Sequence, residues 1–216
     1  KHLETMEAEA YKLADEGKVV IEDVASFIKR RAMISHLLSP NFAVVQGSKV
    51  RMRTDYSSSG SGSNDACHIG NRCVLHDHNH MARMIRFCGG RWKRIRLWES
   101  DLRGAYRQLP LSPRERRLGT MLLGDLILHP LTLGFGARAA VSNFTAFSLL
   151  ITPIITCLAA APTCVYIDDE FGCLPDRGAT GGAKAPMDTA PRVFDKVQEM
   201  HALMGVDCYP VDLDKT

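Results

Sequence analysis

Two adjacent aspartates, Asp168 and Asp169, constrain the fold of this chain more than any other feature of its sequence. Short apolar segments flank the pair and predict two strands joined by a turn. A third aspartate, Asp101, follows another segment that alternates like a strand. A turn lets both members of the pair approach one site, and carboxylates brought so close would repel one another without cations. The sequence therefore predicts that Asp101, Asp168 and Asp169 form an acidic pocket for divalent metal ions.

Such a pocket suits nucleotidyl transfer, in which metal ions activate an attacking hydroxyl and neutralise charge on leaving pyrophosphate. Magnesium prefers oxygen ligands and keeps several waters, so a few carboxylates suffice. Each aspartate also has an ordinary alternative, because an Asp-Asp pair in a turn is common and Asp101 could cap the turn that follows it. Glu170, directly after the pair, is predicted to lie on the surface, and assistance near the metal ions is the alternative.

The composition is that of an ordinary globular protein of 216 residues, with 45% hydrophobic and 24% charged residues. This length allows one large domain or two small lobes. The 7 cysteines have no regular spacing, which predicts reduced thiols and an intracellular protein. No charge-free apolar run is expected to span a membrane. The first residue is not Met and the sequence stops abruptly, which suggests a piece of a longer protein.

Hydrophobic periodicity and turn residues predict a mixture of helices and strands along the chain. The predicted helices cover residues 2–16, 21–38, 139–158 and 189–204. The predicted strands cover residues 42–46, 49–55, 94–100, 163–167 and 171–174, with a further hairpin at 121–128. Residues 57–65 and 176–186 are rich in Gly or Ser and are predicted to be loops.

Basic residues outnumber acidic ones several-fold between Arg83 and Arg117, and Trp92 and Trp98 are interleaved with them. Such a run is often a solvated face with no partner. It is also typical of a surface that follows nucleic-acid phosphates.

Three blocks of sequence, in this order, resemble the palm motifs of the reverse transcriptases of retroelements. The first is DLRGAYRQLPL at residues 101–111, where an aromatic residue follows the aspartate after four residues. The second is LGFGARA at residues 133–139, continuing to Phe144, although Gly134 and Val141 stand where prolines are common. The third, YIDD at residues 166–169, looks like the family's Tyr-x-Asp-Asp box.

A fourth block, KVRMRTDY at residues 49–56, resembles the fingers strand of the family, where a basic pair contacts the incoming triphosphate. The resemblance implies that Arg51, supported by Lys49, binds the triphosphate, and that Tyr106 lies under the sugar and excludes a 2′-hydroxyl. The further nucleotide contacts that it implies are the backbone of Leu102 and Arg103, then Phe135, Gly136 and Lys215. Without the resemblance, Lys49 and Arg51 could be the exposed side of a hairpin, and Tyr106 could pack in the core.

The resemblance implies an α+β fold, a right-hand polymerase core with an antiparallel palm sheet backed by helices and a fingers subdomain. Residues 1–90 would form the fingers, and residues 91–216 the palm with a fingers return near 110–135, without thumb or ribonuclease H. The implied activity is RNA-directed DNA synthesis with two Mg²⁺ or Mn²⁺ ions. The implied partners are an RNA or DNA template with its primer and a dNTP, with no membrane, in a chain that is part of a longer polyprotein.

Two other functions remain open on the sequence. The first is a decayed retroelement copy that binds nucleic acid without catalysis, which the altered second block favours. The second is a zinc-binding interaction module, since thiolate and imidazole are zinc ligands and a cluster of them is present, although no standard finger spacing is matched. This cluster consists of Cys67, His68, Cys73, His76, His78 and His80. Its last three histidines alternate as they would on one face of a strand.

Overall fold

The computed structural model describes residues 2–30, 36–58, 63–69, 73–92, 94–175 and 189–208. The chain divides into two compact units. Residues 1–72 and 106–142 form the first, and residues 73–105 and 143–216 form the second. Each unit therefore combines two separate stretches of the sequence. The protein is α+β, with one mixed and one antiparallel sheet.

The first unit is built around a mixed five-stranded sheet. Its strands are β1 (Val19–Asp23), β2 (Leu38–Gln46), β3 (Lys49–Thr54), β5 (Thr120–Leu123) and β6 (Leu126–Pro130). Their order in the sheet is β1-β6-β5-β2-β3, and neighbours are antiparallel except β2 and β5, which are parallel. The helices of this unit are α1 (Leu3–Asp15), α2 (Val24–Lys29) and α4 (Pro113–Arg116). The buried face of α1, formed by Met6, Ala10 and Leu13, joins the apolar core.

The second unit is built around a three-stranded antiparallel sheet. Its strands are β4 (Ile95–Asp101), β7 (Thr163–Tyr166) and β8 (Asp169–Pro175), with β8 between the other two. Its helices are α3 (His78–Arg91) and α6 (Thr189–Leu203). Helix α5 (Arg138–Leu158) begins in the stretch assigned to the first unit and continues into the second.

Several predicted elements are confirmed, among them α1, the β2–β3 hairpin, β4, α5 and the β7–β8 hairpin. The β2–β3 turn needs Gly47, whose φ of 59° lies in the left-handed region that favours glycine. The helix predicted over residues 21–38 is wrong, because β1 extends to Asp23 and α2 ends at Lys29. β-branched residues favour the strand, and the Asp23 carboxylate then accepts a hydrogen bond from the Ser26 amide and caps α2.

Helix α5 is long and apolar enough to cross a membrane by length and composition, so the expectation that no such run exists is wrong. Phe144, Ile151 and Ile155 of this helix are buried within the protein. The core helix of a soluble protein passes the same test. The helix is therefore weak evidence for a membrane.

Gly172 of β8 lies opposite Trp98 of β4 and has no room for a side chain. A Cβ there would contact the Trp98 indole and lie 2.5 Å from the Pro162 carbonyl oxygen. We expect Gly172→Ala to lower the free energy of unfolding by about 3 kcal/mol, because the indole or the backbone must move. Denaturant unfolding measures this change.

The matched control is Gly89→Ala in α3, where a Cβ would meet no described atom within 4 Å. We expect this variant to gain up to about 1 kcal/mol, since alanine favours a helix over glycine. Equal stabilities for the two variants would show that the space around Gly172 is not closed.

Candidate functional site

The second unit brings two of the three predicted aspartates to directly opposed positions. Asp101 ends β4 and pairs in register with Asp169, the first residue of β8. Directly opposed residues of antiparallel strands share a face, with Cβ atoms about 4.5–5.5 Å apart. Asp168 is the second of the two turn residues that join β7 to β8. All three carboxylates therefore lie at one end of one small sheet.

The turn that carries Asp168 has a strained backbone. Its first residue, Ile167, has a φ of 61°, which is unfavourable for a β-branched side chain. The Ser148 hydroxyl of α5 lies 3.0 Å from the Ile167 carbonyl oxygen. On the other side, the Leu102 amide donates a 3.2 Å hydrogen bond to the Asp168 carbonyl oxygen. The turn is thus held from both α5 and the end of β4.

The carboxylates at this end of the sheet repel one another. Burial, Asp168 and Glu99 raise the pKa of Asp101, in that order. Burial, Asp168, Asp101 and Glu99 raise the pKa of Asp169. A bound cation would relieve this crowding, because it favours the ionised form of both groups.

The donor set suits a hard cation, because all three groups supply oxygen, and magnesium needs few protein ligands beside its waters. In the described part of the chain, however, no three His, Cys, Asp or Glu side chains are placed so that they could hold one ion. The carboxylates share one end of the sheet without enclosing a common centre.

A buried polar pair behind the aspartates was missed by the sequence interpretation. Glu170 is 0% exposed, so its predicted surface position is wrong. Its Oε2 lies 2.9 Å from Nε2 of His201 on α6, which is equally buried. The alternation of β8 could have indicated this position, since consecutive strand residues face opposite sides and Asp169 faces solvent.

The predicted triphosphate ligands Lys49 and Arg51 are both exposed on β3 in the first unit. Strand alternation places Arg53 on the same face. The Arg53 guanidinium lies 5.3 Å from the centre of the Phe135 ring, within the range of a cation–π contact. The same alternation could have identified Arg53 as a third basic residue of this face.

Tyr106, Phe135 and Gly136 are brought together in the first unit. The rings of Tyr106 and Phe135 are 4.8 Å apart, edge to face. Tyr106 is 9% exposed, so it packs in the core as well as beside Phe135. Gly136 has a φ of 93°, and a Cβ there would lie 3.0 Å from the Thr54 carbonyl oxygen, so only glycine fits.

The backbone amides of Leu102 and Arg103 are engaged within the second unit. The Leu102 amide donates to Asp168, as described above, and the Arg103 amide donates to the Asp207 carbonyl oxygen at 2.9 Å. The Leu102 side chain is buried. Lys215 and the loop predicted at residues 176–186 lie outside the described residues.

Two members of the Cys and His cluster, His76 and His80, make structural hydrogen bonds. His78 and His80 lie in α3, so the expected strand alternation is wrong. Asp77 caps this helix by accepting hydrogen bonds from the Asn79 and His80 amides. The Val165 amide of β7 donates to Nδ1 of His76 at 2.9 Å. No zinc-like set of three ligands forms among the described residues.

No protein-family model matches the chain, and no curated protein matches it in sequence. Among solved structures, a foamy viral protease–reverse transcriptase in complex with double-stranded DNA is similar, with a TM-score of 0.60 and 16% sequence identity. The match covers 94% of this chain and 29% of the viral chain. At this identity the likeness shows the fold alone, and the chain corresponds to less than a third of that protein's length.

Proposed function

We propose that this chain is the fingers-and-palm part of a reverse transcriptase, a nucleotidyltransferase that makes DNA on an RNA template. The observation that carries the proposal is the pairing of Asp101 with Asp169 beside the Asp168 turn. The fold similarity to a viral reverse transcriptase supports it. The first unit would contribute the fingers and the second the palm, while the predicted division at residue 90 stays a prediction.

In the proposed reaction, a primer 3′-hydroxyl attacks the α-phosphate of a dNTP and pyrophosphate leaves. Asp101, Asp168 and Asp169 would hold two divalent ions, which when bound activate the hydroxyl and neutralise the leaving group. The strained Ile167 turn and the Ser148 contact would keep the Asp168 backbone in one conformation. A fixed backbone limits the reorganisation that metal binding requires of the carboxylate.

Arg51 and Lys49 are our proposed ligands for the triphosphate, and the geometry of β3 adds Arg53 to their face. Guanidinium forms paired hydrogen bonds with phosphate oxygens, which suits arginine to this role. Tyr106, held edge-on against Phe135, is the proposed barrier to a ribose 2′-hydroxyl. Phe135 and Gly136 would contact the nascent pair, and the roles of Leu102, Arg103 and Lys215 stay predictions.

The proposed partners are a template with its primer and a dNTP, in a longer protein that carries thumb and ribonuclease H regions. The viral neighbour was solved with double-stranded DNA, which supports a nucleic-acid partner. The 7 cysteines of the chain support an intracellular site of action.

Primer extension on an RNA template tests the proposal. The expected result is incorporation of dNTP but not rNTP with Mg²⁺ or Mn²⁺, and none in EDTA. If the folded chain, joined to its downstream region, incorporates no nucleotide with either metal, the enzyme proposal fails. Nucleic-acid binding in that case would favour the decayed copy instead.

A further inference from the structure

One face of α3 carries three arginines and an exposed aromatic ring. Arg83, Arg86, Phe87, Gly90 and Arg91 follow the spacing i, i+3, i+4, i+7 and i+8, which places them together on the helix. All five are exposed. We call this set the α3 basic face.

The charged residues in the sequence around the α3 basic face are all basic. The 20 residues from Asn79 to Trp98 contain six arginines and lysines and no aspartate or glutamate. Within the described ranges, Arg83 and Arg86 have no acidic partner. Two unpaired guanidinium groups one helical turn apart match a polyanion such as a nucleic-acid backbone.

Phe87 adds a feature that phosphate binding alone does not need. The side chain is 61% exposed, and the Arg91 guanidinium lies 5.6 Å from the centre of its ring. An exposed ring beside a cation is a platform on which an unpaired base can stack. A duplex offers no such base, because its bases are stacked on one another.

Gly90 leaves the middle of the α3 basic face without a side chain. A Cβ at this position would meet nothing within 4 Å, so packing within the described chain does not require glycine. Glycine inside a helix costs about 1 kcal/mol relative to alanine. The open space beside Phe87 is where a stacked nucleotide would lie.

Helix α3 lies over the same face of the three-stranded sheet that carries the aspartates. Met84 contacts Cys164, with sulfur atoms 3.8 Å apart, and the Cys88 thiol is hydrogen-bonded with Cys173. Cys173 is four residues from Asp169 on β8, so strand alternation puts both on one face. The separation along the strand is roughly 13 Å at 3.3 Å per residue. Helix α3 therefore packs on the sheet face that carries Asp101 and Asp169, and the α3 basic face lies on the exposed side of this helix.

We propose that the α3 basic face binds single-stranded RNA or DNA, with Arg83 and Arg86 on phosphates and Phe87 stacked on a base. The inference rests on the proposed function and deepens it by adding a single-strand contact within the unit that carries the proposed metal site. The α3 basic face is distinct from the proposed triphosphate ligands Lys49 and Arg51 on β3, because it would bind a nucleic-acid strand and they would bind a single nucleotide.

Fluorescence anisotropy with a labelled 20-nucleotide oligothymidine and a 20-base-pair blunt duplex tests the inference in EDTA. We expect Phe87→Leu, which keeps apolar size without a ring, to weaken single-strand binding about tenfold and leave duplex binding unchanged. Phe87→Trp should keep or increase single-strand affinity. Equal affinities for the Leu variant and the parent, or equal losses on both probes, would overturn the stacking role.

The arginines are tested through the salt dependence of binding. Arg83→Gln with Arg86→Gln removes two phosphate contacts, so the slope of log K against log salt should fall by about 1.4 for a single strand. The control pair Lys12→Gln with Lys29→Gln removes the same charge from α1 and α2 and should leave the slope near that of the parent. If the slope falls equally in both double variants, net charge alone explains the effect, and the assignment of Arg83 and Arg86 to phosphates is wrong.

Two further outcomes separate this inference from its rivals. If Phe87→Leu weakens binding to phosphatidylserine vesicles and leaves oligothymidine binding intact, the face docks on a membrane and the proposal is wrong. Because EDTA prevents catalysis, lost incorporation with normal Phe87-dependent binding would refute only the polymerase proposal. Normal incorporation without Phe87-dependent binding would refute only this inference.

Discussion

Asp168→Asn and Asp101→Asn are each expected to lower dNTP incorporation about a thousandfold, while the protein stays folded. A bound divalent ion contributes several kcal/mol of charge stabilisation in the transition state, and each 1.36 kcal/mol is a factor of ten in rate. An amide oxygen supplies no negative charge to hold the ion. Primer extension under single-turnover conditions measures the loss.

The same Asp101→Asn change should stabilise the protein in the absence of metal. The raised pKa of Asp101 means that folding favours its protonated form. The stability contributed by the protonated Asp101 carboxyl is fully present below the ordinary carboxyl pKa of about 4. It is lost as the pH rises through the raised pKa of the folded protein. At pH 7 in EDTA, we therefore expect the free energy of unfolding to rise by a few tenths of a kcal/mol. This is the usual scale for removing repulsion between exposed like charges that face each other across two strands.

Glu99→Gln is the matched control, because Glu99 lies two residues before Asp101 on the same face of β4 and is also exposed. It should keep incorporation near the parent level and show a similar small gain in stability. Parental activity in Asp101→Asn, or an equal loss of activity in Glu99→Gln, would contradict the assigned roles.

Glu170→Ala is expected to lower the free energy of unfolding by about 3 kcal/mol, because it opens a cavity and leaves a buried polar side chain without its neighbour. Glu170 and His201 are both fully buried, and no described residue makes a well-aligned hydrogen bond to either side chain. Removing the carboxylate leaves the His201 imidazole in the core beside a cavity. Urea unfolding followed by circular dichroism measures the change.

The double variant Glu170→Met with His201→Leu distinguishes two causes of the instability, the loss of a polar partner and the loss of packing. Apolar residues of similar volume often replace a buried pair without loss, so the double variant should unfold within about 1 kcal/mol of the parent. If the double variant is as unstable as the single one, the pair has no special interaction and the effect is a packing defect.

Short-range patterns were enough to predict the elements that carry the candidate site. Alternation and turn residues located β4 and the β7–β8 hairpin, and the same alternation implied the exposed side of β3. The opposition of Asp101 and Asp169 did not follow from these patterns, since it depends on the register between strands far apart in sequence. The prediction that these aspartates share one site rested on the combined pattern of the sequence blocks and on the family resemblance.

The features that sequence reasoning missed depend on contacts between distant residues. Gly134 looked like a departure from a common proline, yet a Cβ at this position would lie 2.8 Å from the Tyr56 hydroxyl. The burial of Glu170 depends on His201, 31 positions later on α6. The helix at His78–His80 depends on the Asp77 cap, which outweighed the alternating histidines.

The contact between His76 and Val165 also bears on how the protein avoids self-association. Among the described strands, β7 lies at the edge of its sheet, and edge strands expose amides onto which a strand of another molecule can add. The imidazole of His76 occupies the Val165 amide and covers that part of the strand. The Val165 amide is thereby no longer free to donate to an added strand, which disfavours pairing of another copy at this position.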